Sequence, residues 1–135
     1  MRSVDVNYRV LYADTDAMGI VYYANYLRFY EIGRDAYLRA INMSGEDLKK
    51  DGVIFPAISV NMRYLIPAEL NDEIIIKTRI IEIPQVRLLF RQSVHHHKKG
   101  MLNEADITLA TVDASTMRPR RCPVKLQKAV DPTLG

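Results

Sequence analysis

Apolar and polar positions alternate along several stretches of this chain, and one stretch between them repeats with a helical period. Val6, Tyr8, Val10 and Tyr12 fall on one face, with Asn7 and Arg9 on the other, which predicts a half-buried strand over residues 4–13. The same two-residue period recurs in Ile58, Val60, Met62, Tyr64 and Ile66, in Ile74, Ile76, Thr78 and Ile80, and in Val86, Leu88, Phe90, Gln92 and Val94. It returns in Ala105, Ile107, Leu109 and Thr111. Between the first and second strands, Tyr26, Tyr30, Gly33, Tyr37 and Ile41 share one stripe at 3.6-residue spacing, which predicts a helix over roughly 22–41. Gly33 costs that helix about 1 kcal/mol of propensity, a cost that close approach to a sheet would justify.

Ser44-x-x-Asp47 reads as a cap for a short helix reaching about Lys50, closed by Asp51-Gly52. Pro67 and Pro84 break the later strands, and Lys98-Lys99-Gly100 marks a hairpin. Consecutive strands with short connections favour an antiparallel sheet, and one apolar helix must cover one of its faces. The expected class is α+β, in one domain spanning residues 1–135. Residues beyond about Lys125 are expected to be mobile.

Composition narrows the function classes. Hydrophobic residues make up 48% of the 135, enough for a core without staples. The single Cys122 excludes an intrachain disulfide framework and suits a reducing compartment. The first residues lack the apolar stretch of a secretion signal, and no run suffices to span a bilayer, so the expected location is cytoplasmic and no membrane insertion is expected. A net charge of +3 mildly favours anionic partners but is too weak to imply nucleic acid, even with Arg118, Arg120 and Arg121 together. His95, His96 and His97 supply no third metal ligand by spacing and read as a polar hairpin, so no metal site is expected.

The candidate chemistry lies where the first strand meets the helix. Asp14 and Asp16 stand just ahead of a helix N-terminus, whose free N–H groups and partial positive charge can polarise a carbonyl. A carboxylate beside such an amide is a workable layout for acyl transfer, and equally an ordinary capping arrangement. Tyr22, Tyr23, Tyr26 and Tyr30 line either a ligand pocket or the core.

The run Tyr12-x-Asp14-Thr15-Asp16-x-x-Gly19-x-Val21-Tyr22-Tyr23-x-Asn25-Tyr26 resembles the signature of the 4-hydroxybenzoyl-CoA thioesterase family of hotdog-fold proteins, especially its YbgC-type acyl-CoA thioesterase branch. The likeness extends through Tyr30-Glu31-x-x-Arg34, Tyr64-x-x-Pro67-Ala68, Leu102-Asn103-Glu104-Ala105, Val112-Asp113 and Met117-x-Pro119-Arg120, nearly the whole chain. It implies a five-stranded antiparallel sheet wrapped around one long helix, and hydrolysis of an acyl-CoA thioester without metal or organic cofactor. It implies Asp16 as the catalytic carboxylate, either nucleophile or general base, and the Tyr23 backbone amide as oxyanion donor. YbgC-type members often carry His where this chain has Tyr23; a backbone donor survives that exchange and an imidazole-based step does not.

Within the same resemblance, Tyr12 is support or pocket wall, Asp14 holds the loop, and Gly19 gives it flexibility. Tyr22 and Tyr26 would line the acyl pocket with Tyr23, and Met18 would limit its depth. Arg87 and Arg91, on the polar face of one strand, are candidates for the CoA phosphates. Members of the fold form homodimers by joining sheets and place the site at the subunit interface; dimers often pair into homotetramers, for which Leu89 offers an apolar contact. Three other readings stay open: a non-catalytic acyl- or protein-binding module, an acyl-carrier-protein thioesterase, and a hydratase, the last disfavoured because no His precedes residue 95. Glu31 is the next carboxylate to consider should Asp16 not serve.

Overall fold

The computed structural model describes residues 2–131. Strand β1 (Ser3–Arg9) leads through a short 3-10 turn (Tyr12–Asp14) to the long helix α1 (Asn25–Ala40) and the small helix α2 (Gly45–Lys50). Strands β2 (Val53–Ile54), β3 (Ala57–Tyr64), β4 (Glu73–Ile80), β5 (Arg87–His96), β6 (Gly100–Ala110) and β7 (Val112–Asp113) follow, then helix α3 (Val124–Val130). Five strands form an antiparallel sheet in the order β1-β4-β5-β6-β3, while β2 and β7 pair separately. This is the α+β hotdog arrangement, with the sheet curved around α1.

The helix seats on the inner face because its stripe is built for contact. Tyr26, Phe29, Tyr30, Gly33 and Tyr37 are buried against β1, β4 and β5. Gly33 marks the closest approach: a Cβ there would collide with Thr78 Oγ1 and come within 2.8 Å of Gln92 Nε2. The helix backbone thereby satisfies a buried amide, since Gln92 Nε2 donates to Tyr30 O at 2.9 Å and to Thr78 Oγ1 at 2.8 Å. Burial of Ile74, Ile76, Leu88, Phe90, Val94 and Ile107 beneath the helix completes the core.

The helix meets the last strand through Tyr26, whose ring lies edge-on to that of Tyr64 with centroids 5.6 Å apart, but leaves much of that strand uncovered. β3 lies at the sheet edge, and its inward-facing Val60 and Tyr64 remain 45% and 54% exposed. A flat edge with unpaired backbone groups and apolar side chains is a template for further pairing.

Four expectations are corrected. The first strand stops at Arg9, since the 3-10 turn turns the chain out of the sheet. Tyr12 therefore does not continue the inner face but stands 82% exposed. The long helix begins at Asn25 rather than near Tyr22, because a Thr15–Val21 bridge holds the preceding residues in an extended loop. Beyond Lys125 the chain is not loose: α3 buries Leu126 and Val130, four residues apart, and Gln127 Nε2 donates to Pro84 O at 2.6 Å. The part of that expectation falling on residues 132–135 lies outside the described residues.

Candidate active site

Two carboxylates two residues apart receive opposite surroundings. Asp14 is only 1% exposed. Its Oδ2 accepts from Tyr8 Oη at 2.7 Å and from the Leu11 amide at 2.8 Å, while Arg28 pairs with Oδ1. Its backbone oxygen accepts from Asn25 Nδ2 and from the Tyr22 amide, at 2.8 and 2.9 Å. Asp14 thus ties β1, α1 and the loop between them, and has no oxygen left for a substrate.

Asp16 is half-buried and mostly unspent. Its Oδ1 accepts from the Met18 amide at 2.8 Å, and Oδ2 has no partner among the described residues. The loop closes tightly around it through Asp16 N to Ile20 O (2.9 Å) and Gly19 N to Asp16 O (3.0 Å). Gly19 takes φ = 78°, a left-handed conformation that L side chains adopt reluctantly, so a glycine suits this corner.

A cavity of about 260 Å³ opens in front of Asp16. Met18, Ile20, Val21, Tyr23 and Tyr26 line it from the loop and the helix start, and Tyr64, Leu65, Ile66 and Pro67 from the end of β3. The Tyr23 amide, just ahead of the first turn of α1, donates to no acceptor among the described residues. Asp16, with an unpartnered carboxylate oxygen, and Tyr23, with an unpartnered main-chain N–H, are thus both lining residues of one largely apolar cavity.

The tyrosine hydroxyls are turned to the frame. Tyr26 Oη accepts from the Ala68 amide at 3.2 Å, and Tyr64 Oη donates to Tyr23 O at 3.1 Å. Burial pushes the Tyr26 hydroxyl pKa up, although the Ala68 amide works against that shift. Tyr22 packs its ring on that of Tyr23, with centroids 4.8 Å apart, and stands outside the cavity wall. Tyr12 is also outside it. Of the tyrosines named as site candidates from sequence, Tyr23 and Tyr26 line the cavity; Tyr64 does too, and the sequence marked it only through strand alternation and the Tyr64-x-x-Pro67-Ala68 motif.

The arginines lie elsewhere in the protomer. Arg91 is on the outer face of β5 and is paired with Asp106 at 2.9 and 3.0 Å. Arg87 is exposed at the opposite end of β5, level with Ala110 and remote from Tyr64, which pairs with Asn103. Glu31 is exposed and borders a different groove, with Arg34 and Leu38. Among the described residues no group of three or more His, Cys, Asp or Glu side chains gathers as a metal site. His95 bonds Ser93 Oγ at 2.7 Å, and His96 stacks on His97. Burial pushes the Cys122 thiol up to about 12, which leaves it a poor nucleophile.

The fold defines a hotdog domain, with Asp16 lining a cavity beside the start of its long helix. The family profile of the thioesterase-like superfamily matches residues 10–130, and the chain belongs to that family. The acyl-CoA thioester hydrolase YbgC of Escherichia coli is 37% identical over 115 residues, 85% of this chain and 86% of the relative. The acyl-CoA thioesterase YbgC of Haemophilus influenzae is 34% identical over 122 residues, 90% of this chain and 89% of the relative. Among solved structures, a DHNA-CoA thioesterase from Staphylococcus aureus superposes with a TM-score of 0.91 at 22% identity, over 99% of this chain and 92% of that one.

Proposed function

We propose that this protein is an acyl-CoA thioesterase, hydrolysing an acyl-CoA to the free carboxylic acid and CoA. The observation that carries the reading is that Asp16, with an unpartnered carboxylate oxygen, and Tyr23, with an unpartnered amide, line the same apolar cavity. The acyl-CoA activity of the two YbgC relatives supports the substrate class.

The thioester carbonyl oxygen points at the Tyr23 N–H, which stabilises the negative charge as the carbon becomes tetrahedral. Asp16 acts in one of two balanced ways. It attacks the carbonyl carbon, expels the CoA thiolate and forms an acyl–aspartyl anhydride that water then hydrolyses. Alternatively it takes a proton from water, whose hydroxide adds to the carbon before the thiolate leaves. Both routes consume one water and release acid and CoA. A thiolate leaves readily, so neither route requires a metal, an organic cofactor or a Ser-His-Asp set.

The exposed β3 edge supports a homodimer. Two-fold antiparallel pairing of β3 with its copy sets the Tyr64 end of one protomer beside the Ala57 end of the other. Ala57 pairs with Leu109, next to Ala110, the partner of Arg87. Of the two candidate arginines, Arg87 at that end of the sheet has no side-chain partner among the described residues and suits CoA phosphate better than Arg91, which is held by Asp106. Half-buried Leu89, on the outer face, gives a contact for pairing dimers into tetramers. No helix among the described residues is long and apolar enough to cross a membrane, and the lone buried thiol fits a reducing cytoplasmic setting.

The test is a thiol-release screen over short, long and aromatic acyl-CoAs and matching acyl-carrier-protein thioesters, with Asp16→Asn and Asp16→Ala. Turnover of at least one acyl-CoA class, abolished in both variants, is expected. Unchanged turnover in both would move the chemistry to another group, Glu31 first; no turnover of any thioester would favour a binding module.

A further inference from the structure

The segment between β3 and β4 holds the acidic loop on both flanks. Ahead of the loop, Val10 N donates to Asp72 O at 2.9 Å and Asn71 N to Val10 O at 3.0 Å. Behind it, Val21 N donates to Ala68 O at 2.8 Å, Leu70 N reaches Gly19 O at 3.4 Å, and Ile20 bridges Glu69. Asp16 therefore sits in a bight of chain whose two ends are stitched to residues 68–72. That strap is irregular, with Asn71 at φ = 68°, so its own order must come from elsewhere.

It comes from the β5–β6 hairpin. Lys99 Nζ donates to Asp72 Oδ2 at 2.7 Å and to Glu69 Oε1 at 3.2 Å. The same Asp72 oxygen accepts from the Glu69 amide at 2.9 Å, closing the strap's turn. His96 Nδ1 accepts from the Lys98 and Lys99 amides, at 3.1 and 3.2 Å, which places its proton on Nε2, 3.6 Å from Asp72 Oδ1. Burial acts to raise the Asp72 pKa, yet the Lys99 ammonium and the Glu69 amide hold it below the ordinary carboxylate value. None of these side chains lines the Asp16 cavity.

We infer that Lys99, acting through Asp72, is a positioning residue for Asp16: the hairpin clamps the strap, and the strap sets the loop that aims the carboxylate. The inference rests on the reading of Asp16 as the reacting group. Misplacing such a group by about 1 Å can cost on the order of 100-fold in rate. Lys99 lines no part of the Asp16 cavity, so its effect belongs in turnover rather than binding.

The experiment uses the full-length protein with Lys99→Met, Lys99→Arg and Asp72→Asn, on whichever acyl-CoA the wild type hydrolyses fastest. For Lys99→Met, kcat should fall about 10- to 100-fold while KM stays within about twofold. Lys99→Arg, which keeps the charge and the donors, should recover most of the loss. In parallel, amide exchange at Val21 and Leu70 should quicken by about tenfold or more in Lys99→Met, with the α1, β4 and β5 amides unchanged. Unchanged kcat in Lys99→Met, a loss confined to KM, or unchanged exchange at Val21 and Leu70 would each overturn the inference. Full activity of Asp16→Asn would instead refute the reading it rests on, and the exchange measurement would still report whether Lys99 orders the loop.

Discussion

The sheet has two halves that meet the same helix differently. Over β1, β4 and β5, α1 packs so closely that a glycine replaces a side chain and a glutamine fills the helix's backbone needs. Toward the β3 edge the cover thins: Tyr30 Oη still bonds Asn103 of β6 and Tyr26 meets the Tyr64 ring, yet Val60, Tyr64, Leu65 and Ile66 stay well exposed. Both halves carry the same alternating pattern, so hydrophobicity does not distinguish core from site. What distinguishes them is coverage: one helix can blanket only part of a five-stranded sheet, and the rest stays exposed beside the Asp16 cavity.

Substitutions can test that contrast, beginning with the largest expected effect. Phe90, fully buried and edge-on to Tyr37 with centroids 5.7 Å apart, belongs to the covered half. Phe90→Ala should cost about 3–5 kcal/mol in denaturant unfolding, with turnover per folded molecule little changed. Asp14→Ala comes next: stripping a buried carboxylate from Tyr8, Leu11 N and Arg28 should cost about 2–3 kcal/mol and loosen the loop as well. In the uncovered margin the signs reverse. Tyr64→Ala should lower kcat/KM by about tenfold, roughly 1.4 kcal/mol of transition-state stabilisation, while the melting temperature barely moves. Val60→Lys, at the exposed edge, should shift the protein toward monomers by light scattering with a parallel loss of activity.

The smallest effect concerns pH. The Asp72 pKa lies below the ordinary carboxylate value in the folded protein, so its contribution to stability is present above that ordinary value and fades as pH falls through the folded-state pKa. Without Lys99, a main opponent of the burial effect is lost, and ionised Asp72 stabilises the strap less. The melting-temperature gap between wild type and Lys99→Met should therefore be widest near neutrality and narrow as pH approaches 3. A gap that does not change with pH would uncouple Asp72 from Lys99.

Much of this architecture is legible in the chain. Two-residue alternation locates the five long strands and their inner face, and the Tyr26–Tyr30–Gly33–Tyr37 stripe locates the helix. The site is legible less directly. Asp14 and Asp16 share one local pattern, and only the family resemblance singled out Asp16; their different burial follows from Tyr8 and Arg28, which lie outside the motif. Tyr12 fits the strand's alternation, yet the 3-10 turn rotates it outward. The short segment after Pro123 conceals α3, which Leu126 and Val130 anchor with Ala129 packed beside them. The strap was invisible because Lys99 and Asp72 are far apart in sequence and meet only once the sheet has formed.

The most direct measurement is thiol release from an acyl-CoA by Asp16→Asn, alongside equilibrium binding of the same thioester to that variant. An amide keeps the volume of the carboxylate but can neither attack nor accept a proton, so hydrolysis should fall by about 1,000-fold or more while binding persists. Hydrolysis at the wild-type rate would contradict the assignment of Asp16 and, with it, the claim that the uncovered margin of the sheet is where this protein does its chemistry.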